Sequence, residues 1–477
     1  MKHLLFVTSE AAPFAASGGL GDVMGALPRT LVEENPDFKV SVILPLYGTM
    51  KEMHRARLSK VCDISFLLSW RHTGASIYEI VENGVRYLFV ENAYYFNRKA
   101  LYGEFDDAER FAFFSTAVVE YVKQSGEAVD VLHANDWQAA LAIVLLKTEY
   151  AHFESLCNIK TVYTIHNIEY QGQFDPYILG DVFGIDSKFY HILEFNGCIN
   201  LMKAALVTSD AVTTVSPNYA RELHDDYFAF GLSSIVKMAE NKTYGIINGI
   251  DYTVFSPESG GDIAFPFGIK NLKTGKMKNK LALQRELGLE ERADVPLFVM
   301  ITRLASQKGI DLVLHILEEF LAEDVQFVIL GTGESTYEDA LMRIASRHTN
   351  MKALIQFDRV LSKKMYASAD LFVMPSKSEP CGLAQMISCS YGTIPVVRSV
   401  GGLADTIIPV GEKGACGFRF DNYNAHELLF TLKDAAQYYR DTKAWDALVR
   451  AAKKKQFTWS ISAKEYIGIY EKLTDVI

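Results

Sequence analysis

The chain has none of the features that would tie it to a membrane or to a nucleic acid. Its longest apolar runs fall well short of the roughly 18 residues that a spanning helix requires, so no transmembrane segment is expected. The first residues, Met1-Lys2-His3-Leu4-Leu5-Phe6-Val7, are apolar only briefly before Ser9 and Glu10, which reads as a first strand and not as a signal peptide. A cytoplasmic protein is expected. Net charge is -10, with no basic stripe and no interleaving of aromatic and basic residues, which argues against nucleic acid as a partner. The six cysteines, Cys62, Cys157, Cys198, Cys381, Cys389 and Cys416, are scattered without CxxC spacing, so neither a zinc site nor a redox dithiol is indicated and reduced thiols are expected. HExxH, Asp-rich and Cys/His ligand patterns are missing, so no metal is expected. A GxSxG elbow is missing too, which removes support for a serine triad.

What the chain does have is alternation. With 477 residues and 49% hydrophobic content it is too long for one ordinary core, and two domains are expected. Short β-branched or aromatic runs at 4–8, 40–44, 129–133, 161–166, 211–215 and 245–247 recur between helical stretches, the pattern of a parallel α/β sheet. One hairpin, 76–81 with 86–90, is marked by Asn83-Gly84. The stretch from Ser256 to about Lys280 is rich in Gly, Pro and Lys and carries little periodicity. A second series follows at 297–301, 326–330, 353–357, 371–374 and 395–397. The fold class expected is α/β, with two doubly wound Rossmann-like domains facing across a cleft, since ligands of such sheets bind beyond the carboxyl ends of the strands. Domain limits are expected at 1–250 and 251–456, with 457–477 a C-terminal helix returning to the N-terminal domain; its apolar residues are Ile461, Tyr466, Ile469, Tyr470 and Leu473.

The polar residues at strand ends carry the chemistry. In Met374-Pro375-Ser376-Lys377-Ser378-Glu379-Pro380-Cys381-Gly382-Leu383, a carboxylate sits at a turn before a helical pattern. Free backbone N–H groups there favour a phosphate and Glu379 accepts from hydroxyls, a pairing that suits a sugar nucleotide. The same carboxylate also reads as a simple complement to a helix dipole. Ser17-Gly18-Gly19-Leu20-Gly21-Asp22-Val23 reads either as a close-approach loop for a phosphate or as a plain strand-to-helix connection; it does not match GxGxxG, and no Walker lysine follows. Asn135-Asp136-Trp137-Gln138 and His166-Asn167 lie at two strand ends, where aromatic faces beside hydrogen-bonding groups suit carbohydrate, although a lone histidine there is often structural. Arg303 and Lys308 follow a strand of the second series, placed to neutralise a diphosphate, and Gly331-Thr332-Gly333 forms another close-approach loop.

Taken in order, Ser9-Glu10, Ser17 through Val23, Asp136-Trp137, His166-Asn167 with Tyr170-Gln171-Gly172, Asn248-Gly249-Ile250-Asp251, Arg303 through Gly309, and Glu379-Pro380-Cys381-Gly382-Leu383 closely resemble bacterial glycogen synthase and plant starch synthase, and the likeness runs from end to end. The resemblance implies a GT-B enzyme that moves glucose, with retention, from ADP-glucose to the non-reducing 4-hydroxyl of an α-1,4-glucan, with no cofactor. It implies that Arg303 and Lys308 hold the diphosphate, that Glu379 orients the glucose, and that His166 contacts the sugar near its anomeric centre. It places Asp136 on the acceptor side. Gly18, Gly19, Asn248, Gly333, Cys381, Gly382 and Leu383 would line the donor, and Tyr95, Phe96, Arg98, Tyr102 and Trp137 the acceptor. The partners implied are a nucleotide sugar and an α-1,4-glucan, with no membrane. A related transferase using another nucleotide sugar or a small acceptor, or a catalytically weak glucan-binding homologue, stays open beside it. The chain departs from the family in carrying Ala16 where a lysine is usual, Asn135 and Gln138 in place of two histidines, Ala384 where Thr or Ser is usual, and a short 357–361 segment without the usual tyrosine.

Overall fold

A computed structural model describes residues 1–258 and 261–475, and the chain divides into two units. Unit 1 comprises Met1–Gly249 with Trp459–Ile477, and unit 2 comprises Ile250–Thr458.

The strands of unit 1 are β1 (Lys2–Val7), β2 (Phe38–Pro45), β3 (Ser59–Leu68), β4 (Arg71–Glu82), β5 (Val85–Glu91), β6 (Val131–Asn135), β7 (Lys160–Ile165), β8 (Gln173–Phe174), β9 (Glu194–Phe195), β10 (Cys198–Asn200), β11 (Ala211–Thr214) and β12 (Thr243–Gly245). Nine of them form one sheet in the order β12-β11-β7-β6-β1-β2-β5-β4-β3, while β8, β10 and β9 form a small sheet of their own. All pairings of the large sheet are parallel except β3 with β4 and β4 with β5. β4 and β5 are the hairpin read from the sequence. Asn83 and Gly84 both take positive φ, 51° and 77°, as a type I′ turn requires. β3 went unread. Its burial alternates and it is an edge strand, so its sequence shows little of the continuous apolar run that marks the central strands.

Unit 2 holds β13 (Leu297–Ile301), β14 (Gln326–Leu330), β15 (Met351–Leu354), β16 (Leu371–Met374), β17 (Ile394–Arg398) and β18 (Phe418–Phe420), all parallel, in the order β15-β14-β13-β16-β17-β18. This is the doubly wound 3-2-1-4-5-6 arrangement, and the strands around β1 repeat it in unit 1. In such a sheet the order reverses next to the first strand. The switch points therefore lie between β1 and β6 in unit 1 and between β13 and β16 in unit 2.

Two expectations need correction. The segment leading to Lys280 is not patternless coil throughout: Leu272–Leu287 is a 16-residue helix. Its inward residues include Lys276, Asn279, Lys280 and Gln284, so polar groups occupy the stripe where apolar periodicity would announce a buried helix. The C-terminal helix runs from Trp459 to Thr474 and buries Tyr466, Ile469 and Tyr470, but Ile461 is 54% exposed and lies off the packed face. This helix packs along the helix Gly19–Glu34. Tyr470 reaches the sheet, its hydroxyl 2.8 Å from His133 Nδ1. Burying an aromatic side chain of this size contributes about 1.5–3 kcal/mol, which ties the C-terminal helix firmly into unit 1.

Candidate active site

In unit 2 the loops leaving β13 and β16 meet at the switch point. Lys377 N–H donates to the Gln307 carbonyl at 2.8 Å, joining the two loops through the backbone. Across that junction Lys308 Nζ lies 2.7 Å from Glu379 Oε2, and Ser376 Oγ donates to the same oxygen at 3.1 Å. Glu379 is buried and Lys308 nearly so, which strengthens the pair relative to one in water. Arg303 differs. It is exposed, and its guanidinium has no hydrogen bond or ion pair among the described residues.

The turn 379–383 is held from beneath. Gly402 N–H donates to the Glu379 and Pro380 carbonyls, and Gly401, at φ 45°, lies where a Cβ would fall into the Glu379 carbonyl oxygen. Gln385 Nε2 donates to the Cys381 and Gly382 carbonyls, both at 3.0 Å. Arg398 Nη1 donates to the Lys377 carbonyl at 2.8 Å. Cys381 is buried and Leu383 half-buried, so beyond the Glu379 carboxylate this turn presents mainly backbone. The helix that follows starts only at Ala384 and has 7 residues, so Glu379 stands before the helix and is not part of its first turn. Gly333 is bridged in parallel to Leu304, and its N–H donates to Glu338 Oε1 at 2.7 Å.

In unit 1 the corresponding loops leave β1, β6 and β7. Asp136 opens the helix Asp136–Lys147 at φ 55°, a left-handed conformation that aspartate tolerates better than most residues. Its Oδ1 accepts the His166 N–H at 2.8 Å. Burial pushes the Asp136 carboxyl up to about 7, against the backbone N–H groups of His166 and Asn167, which pull it down; the Glu10 carboxylate adds to the rise. Asp136 thus supports the 166–167 turn. His166 Nε2 lies 2.9 Å from Asn135 Oδ1, while Asn135 Nδ2 donates to the Val7 and His133 carbonyls. With Oδ1 as acceptor, the network assigns the proton to Nε2 and leaves Nδ1 as an acceptor. Burial lowers the His166 imidazole to about 3, so the ring is neutral. Asn248 is buried just beyond β12, with Oδ1 lacking a hydrogen-bond donor among the described residues.

Gly18 and Gly19 are exposed, and a Cβ on either would meet nothing within 4 Å. The Gly18 N–H, however, does not face solvent. Together with Ser17 N and Ser17 Oγ it donates to the buried carboxylate of Glu10, at 3.3, 2.6 and 2.6 Å. The sequence showed Glu10 only as a polar residue ending a strand. Gln385 was equally silent, because a glutamine after a turn gives no sign that its amide will cap two carbonyls.

The residues expected to line the acceptor separate into two groups. Tyr95 and Phe96 do not form a surface: they are 5% and 0% exposed and pack on Phe113. In the single turn Ala93–Phe96 they point inward and Tyr94, 70% exposed, points out, so spacing alone could not tell which aromatic was free. Tyr95 donates to Glu109 at 2.7 Å, and the Arg110 guanidinium lies 5.9 Å from the Phe96 ring. Arg98 pairs with Asp106 at 2.8 Å and lies over Tyr94. Tyr102 donates to Glu10 Oε1 at 2.7 Å. Trp137 is half-buried between Phe111 and Phe174. Among the described residues no group of three or more His, Cys, Asp or Glu is placed to hold a metal ion, and no helix is long and apolar enough to cross a membrane.

Residues 3–238 match the family model described as starch synthase catalytic domain, and residues 287–455 match glycosyl transferases group 1. The chain is 42% identical over 480 residues to a glycogen synthase of Natranaerobius thermophilus, covering 98% of this chain and 97% of that one. It is also 42% identical over 478 residues to a glycogen synthase of Bacillus subtilis, covering 99% and 98%. Among solved structures, the catalytic domain of starch synthase IV from Arabidopsis thaliana, bound to ADP and acarbose, superposes with a TM-score of 0.90 at 32% identity over 99% of both chains. A sucrose-phosphate synthase from Thermosynechococcus elongatus shares the fold, with a TM-score of 0.64 at 16% identity over all of both chains. The chain belongs to the glycogen synthase and starch synthase family of GT-B glycosyltransferases.

Proposed function

We propose that the protein transfers glucose from ADP-glucose to the non-reducing end of an α-1,4-glucan, retaining the anomeric configuration and releasing ADP. The observation that carries the reading is the Lys308–Glu379 pair beside the unpartnered Arg303, set at the switch point of a sheet whose family relatives are glycogen synthases. A starch synthase of this fold binds ADP and acarbose, which supports a nucleotide and a glucan as the two ligands here.

In this reading Arg303 and Lys308 supply positive charge to the diphosphate as the glycosidic bond breaks, so the charge developing on the leaving group meets fixed cations. No metal is needed for that step. Glu379 accepts from hydroxyls of the transferred glucose and orients it, and the backbone of Cys381, Gly382 and Leu383 approaches the donor. His166, neutral, accepts a sugar hydroxyl at Nδ1; an imidazolium there would oppose the positive charge that builds at the anomeric carbon. The unsatisfied Asn248 Oδ1 takes a second hydroxyl. Retention proceeds without a carboxylate nucleophile: acceptor and leaving group share one face, and a phosphate oxygen takes the acceptor's proton. The protein acts in the cytoplasm, where nucleotide sugars and reduced thiols coexist, and it needs neither membrane nor nucleic acid.

Incubation with ADP-glucose and glycogen is expected to release ADP in step with longer glucan chains. Silence with ADP-, UDP- and GDP-glucose alike, on glycogen and on maltooligosaccharides, overturns the proposal. Turnover only with free fructose or a sugar phosphate assigns the small-acceptor reaction instead.

A further inference from the structure

The acceptor-side segment and the glycine loop of unit 1 are joined by one buried carboxylate. Glu10, 3% exposed, lies in the loop that leaves β1 and has no cation within ion-pair distance among the described residues. Its charge is met by donors instead. Oε2 takes the N–H groups of Ser17 and Gly18, and Oε1 takes Ser17 Oγ and the Tyr102 hydroxyl. Because Tyr102 donates to Glu10, the 2.8 Å contact between Ser9 Oγ and Tyr102 has Ser9 as its donor. Every part of this cluster lies in unit 1.

Two consequences follow from the geometry. First, the amides of Ser17 and Gly18 are turned inward onto an anion the protein itself supplies, immediately before the helix Gly19–Glu34 begins. That helix has 16 residues, and Glu10 binds the two residues that precede it. Second, Tyr102 belongs to a segment anchored elsewhere. Buried Arg110 donates to the Tyr95 and Leu101 carbonyls, and Gly103 N–H donates to Asp107. The Tyr102 hydroxyl thus joins the 95–107 segment to Glu10.

We propose that Glu10 is a positioning residue that sets the glycine loop for the nucleotide sugar, and that the Tyr102 hydroxyl couples this loop to the 95–107 segment. The proposal rests on the transferase reading above. A carboxylate accepts all four donors, whereas a glutamine in its place must turn an N–H₂ towards at least one of them. Losing a charge-assisted bond of this kind is expected to raise the KM for ADP-glucose about tenfold in Glu10→Gln, with the glucan KM changed by less than about twofold. Tyr102→Phe is expected to raise both KM values.

The test is a double-mutant cycle on the donor KM, combined with hydrogen exchange at the Ser17 and Gly18 amides, which needs no catalysis. Support consists of protected amides in the parent protein, faster exchange in Glu10→Gln, and a double variant whose donor KM rises by clearly less than the product of the two single changes. Glu10→Asp, which keeps the charge on a shorter stem, is expected to recover part of the protection. Equal exchange in parent and Glu10→Gln, or a strictly multiplicative cycle, overturns the proposal. If the parent transfers no sugar, the function proposed above fails on its own, and the exchange experiment still decides whether Glu10 orders the loop.

Discussion

Lys308 Nζ and Glu379 Oε2 stand 2.7 Å apart, with side chains 17% and 9% exposed. The ion pair makes each residue the other's support. Substituting one leaves the other charged in a partly dry place, so catalysis and stability are both at stake for this pair, while Arg303, exposed and unpartnered, carries no such double duty.

Arg303→Ala is therefore expected to lower kcat about 10²- to 10³-fold with a melting temperature unchanged within about 1 °C. Glu379→Ala should cost at least as much activity and also lower the melting temperature by several degrees, because Lys308 loses its partner. Steady-state kinetics beside thermal melts on both variants checks the contrast. Equal loss of melting temperature in the two would show that Arg303 and Glu379 support the fold alike.

Phe96→Ala tests the correction to the acceptor surface. A fully buried phenylalanine cut to alanine costs about 3–5 kcal/mol, so the variant is expected to lose stability and activity together. At a temperature where it remains folded its glucan KM should match the parent's. A raised glucan KM with an unchanged melting temperature would show that Phe96 touches the glucan after all.

Asp136 gives a pH signature. Burial raises its carboxyl from 3.8 to about 7, so the folded state binds a proton that the unfolded chain releases. The resulting stabilisation is complete below about pH 4, shrinks as pH rises, and is gone above about 7. Asp136→Asn removes this contribution. Between pH 4.5 and 7.5, roughly the window this shift defines, the variant's unfolding midpoint is expected to fall less with rising pH than the parent's. Parallel midpoint curves would place the titration elsewhere.

Lys276 has the opposite sign. It is buried, donates to Thr393 Oγ1 at 2.8 Å, and burial lowers its ammonium from 10.5 to about 7. The folded state then holds fewer protons than the unfolded one between about pH 7 and 10.5, so stability rises with pH across that window and the cost of burial is full below 7. Lys276→Met is expected to flatten that rise in denaturant midpoints measured from pH 7 to 10. An undiminished slope would exclude Lys276 as its source.

The two buried lysines of the helix Leu272–Leu287, Lys276 and Lys280, also show where sequence reading stops. The central strands were legible, with Leu297–Ile301, Gln326–Leu330 and Leu371–Met374 coinciding with strands read from the chain, because strands buried on both faces must be continuously apolar. A helix whose inward stripe holds Lys276, Lys280 and Gln284 breaks that rule. Its buried amines are satisfied by the Val295 carbonyl, Asp370 and Thr393, partners that only the folded chain assembles.

The candidate site divides along the same line. Glu379, Arg303, Lys308, His166 and Asp136 could be named from residue type and strand-end position, since backbone geometry puts such residues at the carboxyl edge of a doubly wound sheet. What each does with its neighbours could not. That Lys308 is paired and Arg303 is not, that Tyr94 faces out while Tyr95 and Phe96 are core, and that Glu10 gathers the Ser17 and Gly18 amides depend on side-chain directions and on contacts between residues far apart in the chain. Local sequence sets which atoms are available; the packing of distant segments decides which of them remain free for a substrate.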